Sequence, residues 1–157
     1  MNYWLMKSEP SSYSIQDLQK KGTDSWDGVR NYQARNFMMQ MEVGDGVLFY
    51  HSSTIPMGVA GLARIAKVAH PDHSQFDPKN SHFDPKATKE KPLWYCADVK
   101  FVKKFTEVIT LEQMKADKKL EGMRLLQRGS RLSVQPVSKE HFEHILQLAS
   151  QRQVLKK

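Results

Sequence analysis

The chain holds one cysteine among its 157 residues, which excludes an internal disulfide and any zinc site built on several thiolates. That residue, Cys96, sits in an apolar, strand-like stretch and reads as a buried, inert thiol. Long hydrophobic runs are missing as well. Tyr3-Trp4-Leu5-Met6 is too short for a signal peptide or a membrane span, and no lipidation motif appears. A cytosolic or nuclear compartment is expected, with no membrane partner. Glycine-rich strand-to-helix turns are absent, which argues against a dinucleotide or nucleoside-triphosphate cofactor. There is no nucleophile elbow, no HExxH motif and no deaminase signature.

What the chain does have is positive charge. Twenty-four Lys and Arg face 17 Asp and Glu, for a net charge of +7. Such a balance favours an anionic partner, with nucleic acid ahead of a membrane surface. The length suits one domain, read here as residues 1–150, with residues 151–157 as a basic tail. Nothing in the sequence calls for an oligomer, and a monomer is expected.

Several short elements follow from local pattern. Tyr3–Met6 reads as a first strand, and Ser14 with Asp17 as a capping box for a short helix. Phe37, Met38 and Met41 form the apolar stripe of a helix from about Asn31 to Met41. Val43-Gly44-Asp45-Gly46 is a turn leading into a buried strand, Val47–Tyr50. A second apolar run covers Val59–Val68, and Tyr95–Phe101 alternates as a strand with one wet face. Thr110 with Gln113 makes a second capping box, and Leu132–Val134 a last strand ended by Pro136. Ser138 is the N-cap of a helix striped by Phe142, Ile145, Leu146 and Ala149, with His141 and His144 on its wet face.

Between His70 and Pro92 lies one long loop, in which Phe76-Asp77-Pro78-Lys79 recurs as Phe83-Asp84-Pro85-Lys86. Asp-Pro pairs form turns, and Lys79 and Lys86 would make this loop a basic flap for a phosphate backbone. His70, Asp72, His73, His82 and Asp84 offer metal-ligand chemistry, but a Pro-broken loop does not preorganise them, so no metal is expected.

The most informative stretch is Trp26-Asp27-Gly28-Val29-Arg30-Asn31-Tyr32-Gln33-Ala34-Arg35-Asn36. It has too few apolar groups for a core helix and too little Glu and Lys for a solvated one. The mixture suits a wall that stacks a flat ring, reads its polar edge and holds nearby phosphate; the competing reading is a turn whose Trp26 packs inward before an ordinary helix. Trp26, Tyr32 and Trp94 offer stacking faces. Asn31 and Ser8 offer edge donors and acceptors. His51 and Ser52 leave the end of a buried strand. Lys7, Arg30, Arg35, Arg128 and Arg131 suit phosphates. A competing reading is a small enzyme or nuclease-associated module acting on modified nucleotides through Glu9, His51 or Asp98.

Seven blocks, in order, are similar to an EVE domain, a member of the PUA-like superfamily related to the YTH readers. They are Trp4–Pro10, Trp26–Asn36, Gly44-Asp45 with Phe49–Ser52, Gly58–Gly61, Asp84–Lys86, Trp94 with Asp98-Val99, and Arg131–Pro136. Where the family pattern most often has Val-Asp-Val, this chain has Ala97-Asp98-Val99. The chain resembles the short bacterial members. The resemblance implies an α+β fold: a PUA-like mixed β-barrel of five to six strands with surrounding short helices and a C-terminal amphipathic helix. It implies a cytoplasmic protein whose cleft accepts a base swung out of its strand, with DNA or RNA carrying a modified base, 5-methylcytosine or a relative, as the partner. Binding without catalysis is the expectation drawn from these features together. The family's motif positions fall here on Lys7, Ser8, Trp26, Asn31, Tyr32, His51, Ser52, Trp94, Arg131, Ser133 and Gln135.

Overall fold

The computed structural model describes residues 1–129 and 131–155, so residues 156 and 157 of the expected basic tail lie outside the described residues. The strands are β1 (Tyr3–Ser8), β2 (Thr23–Ser25), β3 (Gly46–His51), β4 (Gly58–Pro71), β5 (Tyr95–Thr110) and β6 (Val134–Val137). The helices are α1 (Ile15–Lys21), α2 (Tyr32–Gln40), α3 (Leu111–Lys115) and α4 (Lys139–Leu155). All six strands join one mixed sheet, in the order β2-β5-β4-β3-β1-β6, with β1 parallel to β3 and the other neighbours antiparallel.

Alternation along β1 explains how one sheet serves two cores. Trp4 and Met6 point into a cluster with Ile15, Leu18, Trp26, Met38 and Phe49. Leu5 points the other way, into a cluster with Leu48, Tyr50, Phe105, Met114, Phe142 and Ile145. Helices α1 and α2 therefore cover one face, and α3 and α4 the other. Both faces of β3 are buried from Gly46 to His51, which is why its sequence is an unbroken apolar run rather than an alternating one. The pairing of β4 with β5 shifts register at four places, and each shift adds bend and twist. These two strands extend well beyond the apolar segments visible in the sequence and contribute to both clusters.

The caps hold with two amendments. Ser14 Oγ accepts from Asp17 N, and the Asp17 carboxylate accepts from Ser14 N, so the box on α1 is complete. On α3 only half of the box forms. Thr110 Oγ1 accepts from Gln113 N, but Gln113 Oε1 is buried without a hydrogen-bond partner. Ser138 Oγ caps α4 through His141 N. His144 is not simply on a wet face: its Nε2 lies 2.6 Å from Asp117 Oδ2, tying α4 to the chain before it. The last strand is displaced two residues from its expected place and contains Pro136, which an edge strand tolerates because one side of its backbone needs no ladder donor. Among the described residues, no helix is long and apolar enough to cross a membrane.

Asp45, which the sequence shows in a turn and in one of the family-like blocks, anchors this architecture. Its buried carboxylate accepts from Asn2 N at 3.1 Å, Trp4 Nε1 at 3.0 Å and Glu42 N at 3.0 Å. Replacing it leaves three donors without that acceptor. Asp45→Ala should destabilise the fold by roughly 3 kcal/mol or more, measured by urea unfolding. A loss below about 1 kcal/mol, the net worth of one ordinary hydrogen bond, would contradict this role.

Candidate nucleic-acid interface

A cleft of about 650 Å³ opens where the end of β1, the turn before α1, β2 and the Trp26–Arg30 segment meet. That volume lies within the range typical of small-molecule sites. Trp26 continues the pairing of β2, its N–H donating to Ala97 O at 2.9 Å. Its ring packs edge-on against Phe49, with centroids 5.2 Å apart, and the residue, 8 % exposed, belongs to the core while also lining the cleft. Lys7, Ser8 and Glu9 form the β1 lip, and Ser133 lies beside it, its carbonyl accepting from Lys7 N at 2.8 Å. Ser8 Oγ donates to Tyr13 O at 2.6 Å, which orients the hydroxyl.

The segment after Trp26 holds its shape through a residue the sequence reading assigned only to a discarded metal cluster. Asp72 is buried, and its carboxylate accepts from Gly28 N at 2.8 Å, Arg30 Nη1 at 3.1 Å and Ser74 N at 2.9 Å. Gly28 has φ +82°, and a Cβ there would lie 2.9 Å from the His82 ring, so both backbone conformation and space require glycine. Arg30 also donates to Ser74 Oγ and His82 O, joining the cleft wall to the long loop. Gln75, wholly buried, donates to the Asp72 and Trp94 carbonyls and accepts from Leu93 N and Trp94 N. Each Phe-Asp-Pro-Lys repeat closes the same turn, the Asp carboxylate accepting from the Lys N–H two residues on.

The cleft brings together Lys7, Ser8, Trp26, Arg30 and Ser133 from the expected set. The others lie elsewhere or are engaged internally. Arg30, though it lines the cleft, commits its guanidinium to Asp72, Ser74 and His82. Arg35 donates to Leu93 O and Asn36 Oδ1, and lies against the rings of Tyr32 and Trp94. Asn31 Oδ1 accepts from Ala34 N as the N-cap of α2. His51 Nε2 accepts from Ile15 N, and burial lowers its pKa, so the ring is neutral. Ser52 meets the lip only through its backbone N–H, which donates to Ser8 O. Gln135 is fully buried, donating to Leu132 O. Trp94 is buried behind Tyr32, its Nε1 donating to Asp84. Lys79, Lys86, Arg128 and Arg131 are exposed and outside the cleft.

Sequence reasoning missed Asp27, Tyr13, Ser12, Lys21 and His82, all of which line the cleft. Asp27 was in view inside the Trp26–Asn36 stretch, but its carboxylate was given no role. Desolvation by the cleft walls, reinforced by Asp72 and Asp24, raises its pKa. Burial, then the neighbouring Asp24, pushes the Tyr13 hydroxyl up, keeping it neutral. Lys7 is shifted down by burial. Cys96 lies below the cleft, where burial and then Asp72, Asp27 and Asp98 push its thiol up to about 12. Asp98 accepts from Ser25 Oγ at 2.6 Å and faces His70 Nε2 at 2.7 Å. This places the carboxylate between serine and histidine, whereas a nucleophile relay needs histidine in the middle.

Two substitutions with opposite signs test this electrostatic picture. Burial opposes ionisation of Asp72, but the hydrogen bonds from Ser74, Gly28 and Arg30 outweigh it and hold the carboxyl below the usual range. Its stabilisation is therefore present at neutral pH and lost as pH falls through that lowered pKa. Asp72→Ala should cost about 3 kcal/mol at pH 7, read by urea unfolding, and a neutral result contradicts the hub. Asp27, with its pKa raised, favours folding in its protonated form, so its contribution is lost as pH rises through the folded-state value. Asp27→Asn should raise Tm more at pH 8 than at pH 4, and the reverse order would contradict the assignment.

Comparison with known proteins places this geometry. The EVE domain family matches residues 2–148. Mouse thymocyte nuclear protein 1 is 45% identical over 166 residues, covering 94% of this chain and 73% of that protein. Among solved structures, a hypothetical protein from Leishmania major superposes with a TM-score of 0.94 at 50% identity, covering 98% of this chain and 97% of that one. The crystal structure of human THYN1 protein in complex with 5-methylcytosine containing DNA superposes with a TM-score of 0.89 at 40% identity, covering 95% of this chain and 98% of that one. Sequence and fold agree over nearly the whole length, and the chain belongs to the EVE domain family.

Proposed function

We propose that this chain is a nucleic-acid-binding module that accepts one base, swung out of its strand, in the cleft beside Trp26, with 5-methylcytosine or a related cytosine in DNA as the favoured ligand and modified RNA as the alternative strand. The observation that carries this reading is a cleft of base-accommodating size with Trp26 among its lining residues. The 5-methylcytosine DNA complex of the structurally similar human protein supports it. Stacking on a tryptophan contributes roughly 1–3 kcal/mol per base, enough to offset part of the few kcal/mol spent in unstacking.

The remaining roles follow from position. Ser8, Ser133 and Asp27 present oxygen atoms where a base edge would lie. Lys7 and Lys21 line the same cleft and would meet the attached phosphates. Lys79, Lys86, Arg128 and Arg131 supply exposed charge for the rest of the strand. Asn31, Gln135, His51 and Arg35 act indirectly, through the start of α2, the Leu132 carbonyl beside Ser133, the start of α1 and the Leu93 carbonyl that they hold. Binding without catalysis is the favoured reading, because Asp98 and His51, two of the three residues a catalytic role would use, are engaged in structural hydrogen bonds.

Fluorescence anisotropy with single-stranded oligonucleotides carrying one 5-methylcytosine or one abasic position tests the reading. Trp26→Leu keeps an apolar side chain but removes the aromatic face. It should weaken binding of the 5-methylcytosine strand about tenfold while leaving the weaker abasic strand unchanged. Equal affinity of the wild-type protein for the two strands would overturn the proposal.

A further inference from the structure

The sequence groups Tyr32 and Trp94 as walls of one pocket, but the structure separates their parts. Trp94 is 4 % exposed, with its Nε1 donating to Asp84 and its backbone N–H to Gln75. Tyr32 lies flat on it, ring centroids 4.7 Å apart and planes 22° from parallel, yet remains 56 % exposed. Beside the pair, the Arg35 guanidinium carbon is 4.9 Å from the Tyr32 ring centre. Its nitrogens are held by Leu93 O and Asn36 Oδ1. An aromatic ring is thus fixed from behind and left open in front.

We propose that this open face of Tyr32 is a second stacking platform, taking a base within about three nucleotides of the one held in the cleft. The inference rests on the cleft reading above. Position supports it: Arg30 lines the cleft and lies 5.3 Å from the Trp94 ring centre, which is 4.7 Å from that of Tyr32. Those two steps bound the separation of Arg30 and Tyr32 at about 10 Å, a span of about three nucleotides at roughly 3.4 Å each. Energetics supports it too. A pre-positioned aromatic ring loses little conformational freedom when it is covered, and the nearby guanidinium favours a π-system and its phosphate. Because every base has a π-face, the platform adds affinity without choosing a sequence. It would let the cleft select the modified base while Tyr32 grips whatever base lies nearby.

Five-nucleotide single strands with a central 5-methylcytosine test this, with either normal or abasic flanking positions, so that the phosphates are unchanged. The wild-type protein should prefer normal flanks about tenfold. Tyr32→Ala should abolish that preference, and Tyr32→Phe should retain it. Retention of the preference in Tyr32→Ala overturns the proposal, as does a wild-type protein that ignores the flanks. A Tyr32-dependent dimer in sedimentation, with oligonucleotide binding unaffected by Tyr32→Ala, assigns the face to a second copy of the chain and overturns it equally. A strand abasic only at its centre separates the two ideas. If wild type does not notice that loss, the cleft reading fails, whereas the flank comparison reports on Tyr32 alone.

Discussion

The Asp72 carboxylate is the constraint on which the cleft depends. It gathers Gly28, Arg30 and Ser74 around one buried negative charge, and so helps to join the Trp26–Arg30 segment and the long loop into one wall. A buried carboxylate left unpaired would be costly, so each donor is needed to keep it ionised. That requirement also explains the glycine in the motif: the chain must turn through a positive φ and pass beneath the His82 ring while offering its N–H to Asp72. Arginine 30, read in isolation as a phosphate ligand, is better understood as the counter-charge of this hub.

Much of the fold could be read in the sequence because it depends on local chemistry. The Ser14–Asp17 box, the Met38 stripe and the buried run in β3 each carry their signal within a few residues. The full length of β4 and β5 could not be read, because their register shifts mix the inward and outward positions that alternation relies on. Strand β2 is three residues long and gains its identity only from β5, through pairs such as Asp24 with Val99. In β6, Pro136 looked like a terminator, yet the strand's place at the sheet edge makes it harmless.

The candidate site was legible as a neighbourhood more than as a set of roles. Trp26, Ser8, Lys7 and Ser133 do converge. Asn31 illustrates the difficulty: an amide suited to a base edge is equally suited to a helix N-cap, and the structure uses it as the cap. Arg35 and Trp94 were likewise chosen for chemistry that packing consumes. Asp27 and Tyr13 escaped notice because their importance arises from burial against residues distant in sequence, which no local pattern records.

The resulting site divides its labour by charge. The protein as a whole is basic, which draws in any polyanion, but its cleft mixes Lys7 and Lys21 with Glu9, Asp24 and Asp27. Such a lining suits a neutral base with donors on its edge better than a phosphate. Location of the ligand is therefore the central question, and amide chemical-shift mapping during titration with a 5-methylcytosine-containing single strand addresses it directly. The account predicts saturable shifts concentrated at Ser8, Trp26, Gly28 and Ser133. Shifts confined to the lysine-bearing turns around Lys79 and Lys86, with the cleft silent, would contradict it.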